Sequence, residues 1–158
     1  MVLRVVIGYN VYMETLVYTQ SELDKVAKII LTHAGESSVS DKATILALSG
    51  NLGAGKTTLV QELALAMGVK EQVTSPTFVV MKQYQVTHPV FLELIHIDAY
   101  RIEKEEEMTV LGFSNLLKNP DTLICIEWPE KISSLIPTSA ISVSLEVVDE
   151  QTRKIIYG

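Results

Sequence analysis

The run Gly50-Asn51-Leu52-Gly53-Ala54-Gly55-Lys56-Thr57-Thr58 has the spacing G-x-x-x-x-G-K-[ST] of a loop that cradles nucleotide phosphates. Each position has its own chemical reason. Glycines let the main chain take positive φ and come close to an anion. Converging N–H groups then meet the phosphate oxygens, and a following helix adds the positive end of its dipole. Lys56 supplies a point charge for the β- and γ-phosphates, and the Thr57 hydroxyl suits magnesium, a hard cation that takes oxygen ligands.

Hydrolysis or transfer needs more than the loop: a carboxylate for the metal and a group that places the nucleophile. Two acids end apolar runs. Glu127 follows Leu123-Ile124-Cys125-Ile126, and Asp98 follows Leu94-Ile95-His96-Ile97. Either can be a cap or a surface acid when taken singly; beside a phosphate loop, at least one is expected to serve the metal. Thr77, in a loop stiffened by Pro76, offers a hydroxyl of the kind that senses a γ-phosphate, though capping a turn is the plainer role. His96 reads as a hydrogen-bonded residue near the strand end with no zinc-type cluster around it. Trp128 reads as a partly buried aromatic, Tyr100 and Arg101 as residues that pack or pair with surface acids, and Glu105 to Glu107 as a solvated helix face.

The elements that must position these groups follow from periodicity. Thr44 to Ser49 is a short buried strand leading into the loop. Leu59, Leu63 and Met67 recur at helical spacing behind it, and Gly68 stands where a helix C-cap glycine belongs. Upstream, Glu14 to Tyr18 suits a short strand. Ser21-Glu22-Leu23-Asp24 resembles a capping box before a helix faced by Leu23, Val26, Ala27 and Ile30, and Gly35 to Lys42 is a polar loop. Downstream, Val79 to Gln85 and Phe91 to Ile97 are too closely joined for anything but an antiparallel hairpin. Ile102 to Leu117 predicts a helix with an acidic start, interruptible at Gly112. Leu123 to Ile126, Ile141 to Val148 and Arg153 to Tyr157 predict strands. The fold expected is a single α/β domain, a mixed parallel and antiparallel sheet flanked by helices.

Composition narrows the function classes. The 158 residues carry a formal net charge of −6, which argues against a large basic face for nucleic acid. Cys125 is the only cysteine, so no internal disulfide can form, and its apolar neighbours make it a small core residue. No apolar run is long enough to span a bilayer, and Met1 to Tyr12 lacks a convincing signal-peptide pattern, so a cytoplasmic location is expected. That segment reads as an extra edge strand or, preferably, as an extension ahead of a natural start at Met13, with the domain proper over 13–158.

Taken in order, the phosphate loop, Ser75-Pro76-Thr77-Phe78, His96-Ile97-Asp98-Ala99-Tyr100-Arg101 and Ile126-Glu127-Trp128-Pro129-Glu130-Lys131 resemble the TsaE family of small bacterial P-loop ATPases, from about Met13 to the C-terminus. The resemblance implies a weak, Mg2+-dependent ATPase, stimulated by its partners. It would work with TsaB and TsaD in making threonylcarbamoyladenosine on tRNA, and would meet the tRNA only through that complex. It also implies residue roles: Lys56 on phosphate, Thr57 with Glu127 on magnesium, Asp98 orienting or activating water, Thr77 as a switch-loop threonine and Trp128 beside the nucleotide. Two other readings compete. A small-molecule kinase would use the same loop with an arginine-rich lid, but Arg4, Arg101 and Arg153 are the only arginines. A binding module would need nucleotide but not hydrolysis. A GTPase is disfavoured because no N-K-x-D motif is present.

Overall fold

A computed structural model describes residues 3–6, 12–38 and 41–158, with 3–6 and 12 described by backbone alone. Eight strands form one sheet: β1 (Leu3–Val6), β2 (Tyr12–Thr19), β3 (Thr44–Ser49), β4 (Met81–Gln85), β5 (Glu93–Asp98), β6 (Thr122–Glu127), β7 (Ile141–Val147) and β8 (Thr152–Tyr157). Their order across the sheet is β1-β2-β8-β7-β3-β6-β5-β4. The centre is parallel, with β3 between β6 and β7 and with β5 beside β6. Both flanks are antiparallel: β4 folds back on β5 as the expected hairpin, and β7, β8, β2 and β1 complete the other side. The mixed α/β sheet inferred from the residue pattern is therefore the fold observed.

Alternation along the central strands assigns their side chains to two cores. Leu46, Leu48, Leu94, Leu123 and Cys125 face one core, packed with helices α1 (Leu23–Glu36) and α2 (Lys56–Ala66). Ile45, Ile95, Ile97, Ile124 and Ile126 face the other, under the short helices α3 (Glu106–Val110) and α4 (Phe113–Leu116) and the 3₁₀ segment Pro129–Leu135. Because successive residues alternate, His96 and Asp98 share the α2 face with Leu94, as Glu127 does with Cys125. The strand period thus directs three polar side chains toward the helix that begins with Lys56.

Local chemistry explains the helix ends. Gly68 takes φ +83, with Val69 N–H bonding Ala64 O and Gly68 N–H bonding Leu65 O, a Schellman closure of α2. The cap before α1 lies two residues upstream of the expected Ser21/Asp24 pair. Glu22 accepts from the Thr19 N–H at 3.0 Å and from its hydroxyl at 2.8 Å. The helix expected over 102–117 is two short ones, broken where Gly112 turns left-handed at φ +71. Its acidic start is also shorter than expected, because Glu103 and Glu105 precede α3. Of the 1–12 segment, Leu3–Val6 pairs antiparallel with β2, and residues 1–2 and 7–11 lie outside the described residues. So do residues 39 and 40 of the polar loop. Among the described residues, no helix is long and apolar enough to cross a membrane.

Candidate functional site

The phosphate loop joins β3 to α2. Asn51 O accepts from Ala54 N–H at 3.0 Å, closing a turn, and Gly53 (φ +80) and Gly55 (φ +103) hold left-handed conformations beyond it. Gly50 is constrained by space as well as angle: a Cβ there would stand 2.5 Å from Leu145 O. Gly55 caps α2 and has no side chain to take the first free N–H groups of that helix, the kind of N–H groups that suit an anion.

Lys56 is only 5% exposed. Its ammonium donates to Gly50 O at 2.6 Å and Asn51 O at 3.1 Å, and sits 3.9 Å from the centre of the Trp128 ring. Burial lowers its pKa, while the charges of Glu127, Glu130 and Asp98 push it back up. The cation is held by main-chain carbonyls and a π face, an arrangement from which it can turn to phosphate.

Next to it the Thr57 hydroxyl donates to Glu127, at 2.8 Å from Oε1 and 3.0 Å from Oε2. With its proton committed to the carboxylate, the threonine oxygen keeps lone pairs for a cation. Glu127 is 3% exposed and also contacts His96 Nε2 at 2.7 Å. One hydroxyl and one carboxylate suit magnesium, which keeps most of its shell for water and phosphate oxygen and seldom uses an all-protein cage. No group of three or more His, Cys, Asp or Glu able to hold a metal occurs among the described residues.

A second cluster stands one strand farther along. Thr77 Oγ1 donates to Asp98 Oδ2 at 2.6 Å. Thr77 has one hydroxyl proton, so Ser75 must be the donor in the 2.6 Å Ser75–Thr77 contact. Asp98 is 4% exposed, and its other oxygen, Oδ1, accepts from Tyr100 N–H at 3.0 Å. The main chain ties the loop to the same acid, since Asp98 N–H bonds the carbonyl of Val80, a β-branched residue at φ +66.

These groups line one cleft of about 380 Å³, with Leu52, Gly53, Gly55, Lys56, Thr57, Thr58, Ser75, Thr77, Asp98, Tyr100, Glu127 and Trp128 on its walls. Gly50, Asn51 and Ala54 of the phosphate loop are not among the cleft's lining residues; Ala54 is buried and Asn51 is exposed. Trp128, left-handed at φ +59, donates its main-chain N–H to Leu48 O at 3.2 Å, and its ring tilts against Tyr100 at 5.2 Å. Ser75 was not singled out from the sequence; a short polar residue two before Thr77 was its only signal. Tyr100 lies in the cleft wall, and Arg101 rests on the exposed Phe78 ring at 4.6 Å where surface acids were the expected partners.

The family model described as "Threonylcarbamoyl adenosine biosynthesis protein TsaE" matches residues 17–155. The chain is 33% identical over 115 residues to the tRNA threonylcarbamoyladenosine biosynthesis protein TsaE of Treponema pallidum, covering 73% of this chain and 82% of that one. To the protein of the same name from Haemophilus influenzae it is 32% identical over 111 residues, covering 70% and 68%. The crystal structure of Bacillus subtilus YdiB superposes with a TM-score of 0.64 at 22% identity, over 99% of this chain and 86% of that one, which speaks for the fold. The loop and both threonine-clamped acids fall inside the matched span, and the chain belongs to the TsaE family of threonylcarbamoyladenosine biosynthesis proteins.

Proposed function

We propose that this chain binds Mg-ATP in the cleft and hydrolyses it slowly by itself, acting in the cytoplasm on a complex of TsaB and TsaD that modifies tRNA. One observation carries the reading: Lys56, the Thr57–Glu127 pair and the Thr77–Asp98 pair meet at a single cleft, although they come from four separate parts of the chain. Lys56 and the loop amides bind the phosphate tail. Thr57 and Glu127 would hold magnesium, which there neutralises charge on phosphate oxygens. Asp98, fixed by the Thr77 hydroxyl and the Tyr100 amide, orients a water for attack on the terminal phosphorus, giving ADP and phosphate. The net charge of −6 fits a subunit that leaves tRNA to its partners.

The test is ATP hydrolysis by the purified chain, alone and with purified TsaB and TsaD. Strong stimulation by the pair is expected. An unchanged rate, with Mg-ATP binding intact, overturns the partner assignment, and ATP-dependent phosphorylation of a small acceptor would replace the reading with a kinase.

A further inference from the structure

His96 is fully buried on β5, two residues behind Asp98 on the same face. Its register partner is Cys125, as Asp98's is Glu127, so the imidazole lies one pleat deeper than the acids. From there Nε2 reaches Glu127 Oε1 at 2.7 Å, while Thr57 reaches the same carboxylate from the helix side. An ionised carboxylate only accepts, so the imidazole must donate, and the bond assigns the proton to Nε2. Nδ1 is left buried with no hydrogen-bond partner among the described residues.

That arrangement is a poor way to fill space. An apolar side chain would pack against Leu94 and Cys125 without leaving a buried polar atom unsatisfied. Residues that break a local rule in this way tend to be held by function. Among the described residues, the Glu127 carboxylate is held by Thr57 from α2 and by the buried imidazole of His96 from β5.

We propose that His96 is a positioning residue: its Nε2–H fixes the Glu127 carboxylate so that Thr57 and Glu127 present their oxygens to a divalent cation. This rests on the nucleotide-binding reading above. Partners one layer behind metal ligands are commonly worth about 10- to 100-fold in metal affinity.

The experiment titrates Mg2+ against the folded chain and a fluorescent, non-hydrolysable ATP analogue, reading the Mg2+ concentration at half-maximal binding. Three variants separate donor from packing. His96→Gln can place its amide nitrogen where Nε2 stands. His96→Asn keeps a polar amide that falls short of Glu127, and His96→Leu removes the donor. Asn and Leu should raise the Mg2+ requirement by about tenfold or more, leave Mg-free analogue binding alone, and differ from Gln, which stays near the parent. A parental Mg2+ requirement in His96→Asn or His96→Leu overturns the inference, as does His96→Gln failing alongside them. If leucine does not fold, the Gln–Asn contrast decides. If the parent binds no analogue with or without Mg2+, the nucleotide reading itself falls; if it binds with Mg2+ dependence and Asn matches it, only the role of His96 falls.

Discussion

Asp98 and Glu127 are register partners at the ends of adjacent parallel strands, and each is clamped by a different threonine: Asp98 by Thr77 at 2.6 Å, Glu127 by Thr57 at 2.8 Å. The pairing separates two tasks that need different electrostatics. One carboxylate stands beside the lysine and the first helical turn, the other beside a loop that carries its own hydroxyls.

Substituting the two acids should therefore give different losses. Asp98→Ala should bind Mg-ATP and lose turnover on the order of a hundredfold, as when one preorganised polar group is removed from a reacting centre. Glu127→Ala should weaken Mg-dependent binding itself. Equilibrium binding beside steady-state hydrolysis checks both, and parental turnover in Asp98→Ala would show that its carboxylate takes no part.

Lys56 and the single tryptophan form an optical reporter. The ammonium lies 3.9 Å from the Trp128 ring, so drawing it toward phosphate changes the indole's surroundings. Mg-ATP should alter tryptophan emission in the parent. Lys56→Ala should bind more weakly and lose most of that change, as a fluorescence titration would reveal. An undiminished change at saturating nucleotide would mean that the lysine does not move.

Two glycines of the loop should differ in cost. Gly53→Ala enters open space and pays only for its left-handed backbone, about 1–2 kcal/mol. Gly50→Ala adds a clash with Leu145 O at 2.5 Å to an unfavourable φ, and should lose more, about 3 kcal/mol. Urea unfolding of the two variants gives the comparison, and equal losses would mean that the strand beneath the loop yields.

Cys125 is fully buried, and burial and the nearby Glu127 both push its thiol pKa upward. The native protein should resist Ellman's reagent and react once unfolded. The thiol stays protonated in the fold but ionises in the unfolded chain above about pH 8.5. Its contribution to stability is therefore whole below that pH and declines as pH rises beyond it. Melting curves from neutral to alkaline pH should show the decline, and Cys125→Ala should flatten it; an identical slope in both proteins would place its origin elsewhere.

The central strands were legible because buried parallel strands are nearly continuous apolar runs, and the loop because glycine spacing, lysine and threonine occupy fixed positions. Register was not legible. Nothing in Leu94–Ile97 or Leu123–Ile126 says that Asp98 stands opposite Glu127, since that depends on pairing between distant segments. Thr77 illustrates the same limit: capping a turn was its plainer role, and only the folded β4–β5 region brings it onto Asp98. The cap of α1 fell on Thr19 and Glu22 because β2 runs on to Thr19, farther than its local pattern indicated. Gly112 could be seen as a break, but its depth could not: four-residue α4 survives by burying Phe113.

The order β3, β6, β5 turns the sheet into a measuring scale. The loop leaves the first of these strands, Glu127 ends the second and Asp98 ends the third. Neighbouring strands lie about 4.8 Å apart, so the outer two are separated by about 10 Å. That interval is set by main-chain hydrogen bonds, which side-chain replacement leaves alone. An acid one methylene longer at position 98 would overshoot its mark on the scale, and no compensating substitution elsewhere in the cleft could move the graduation to meet it.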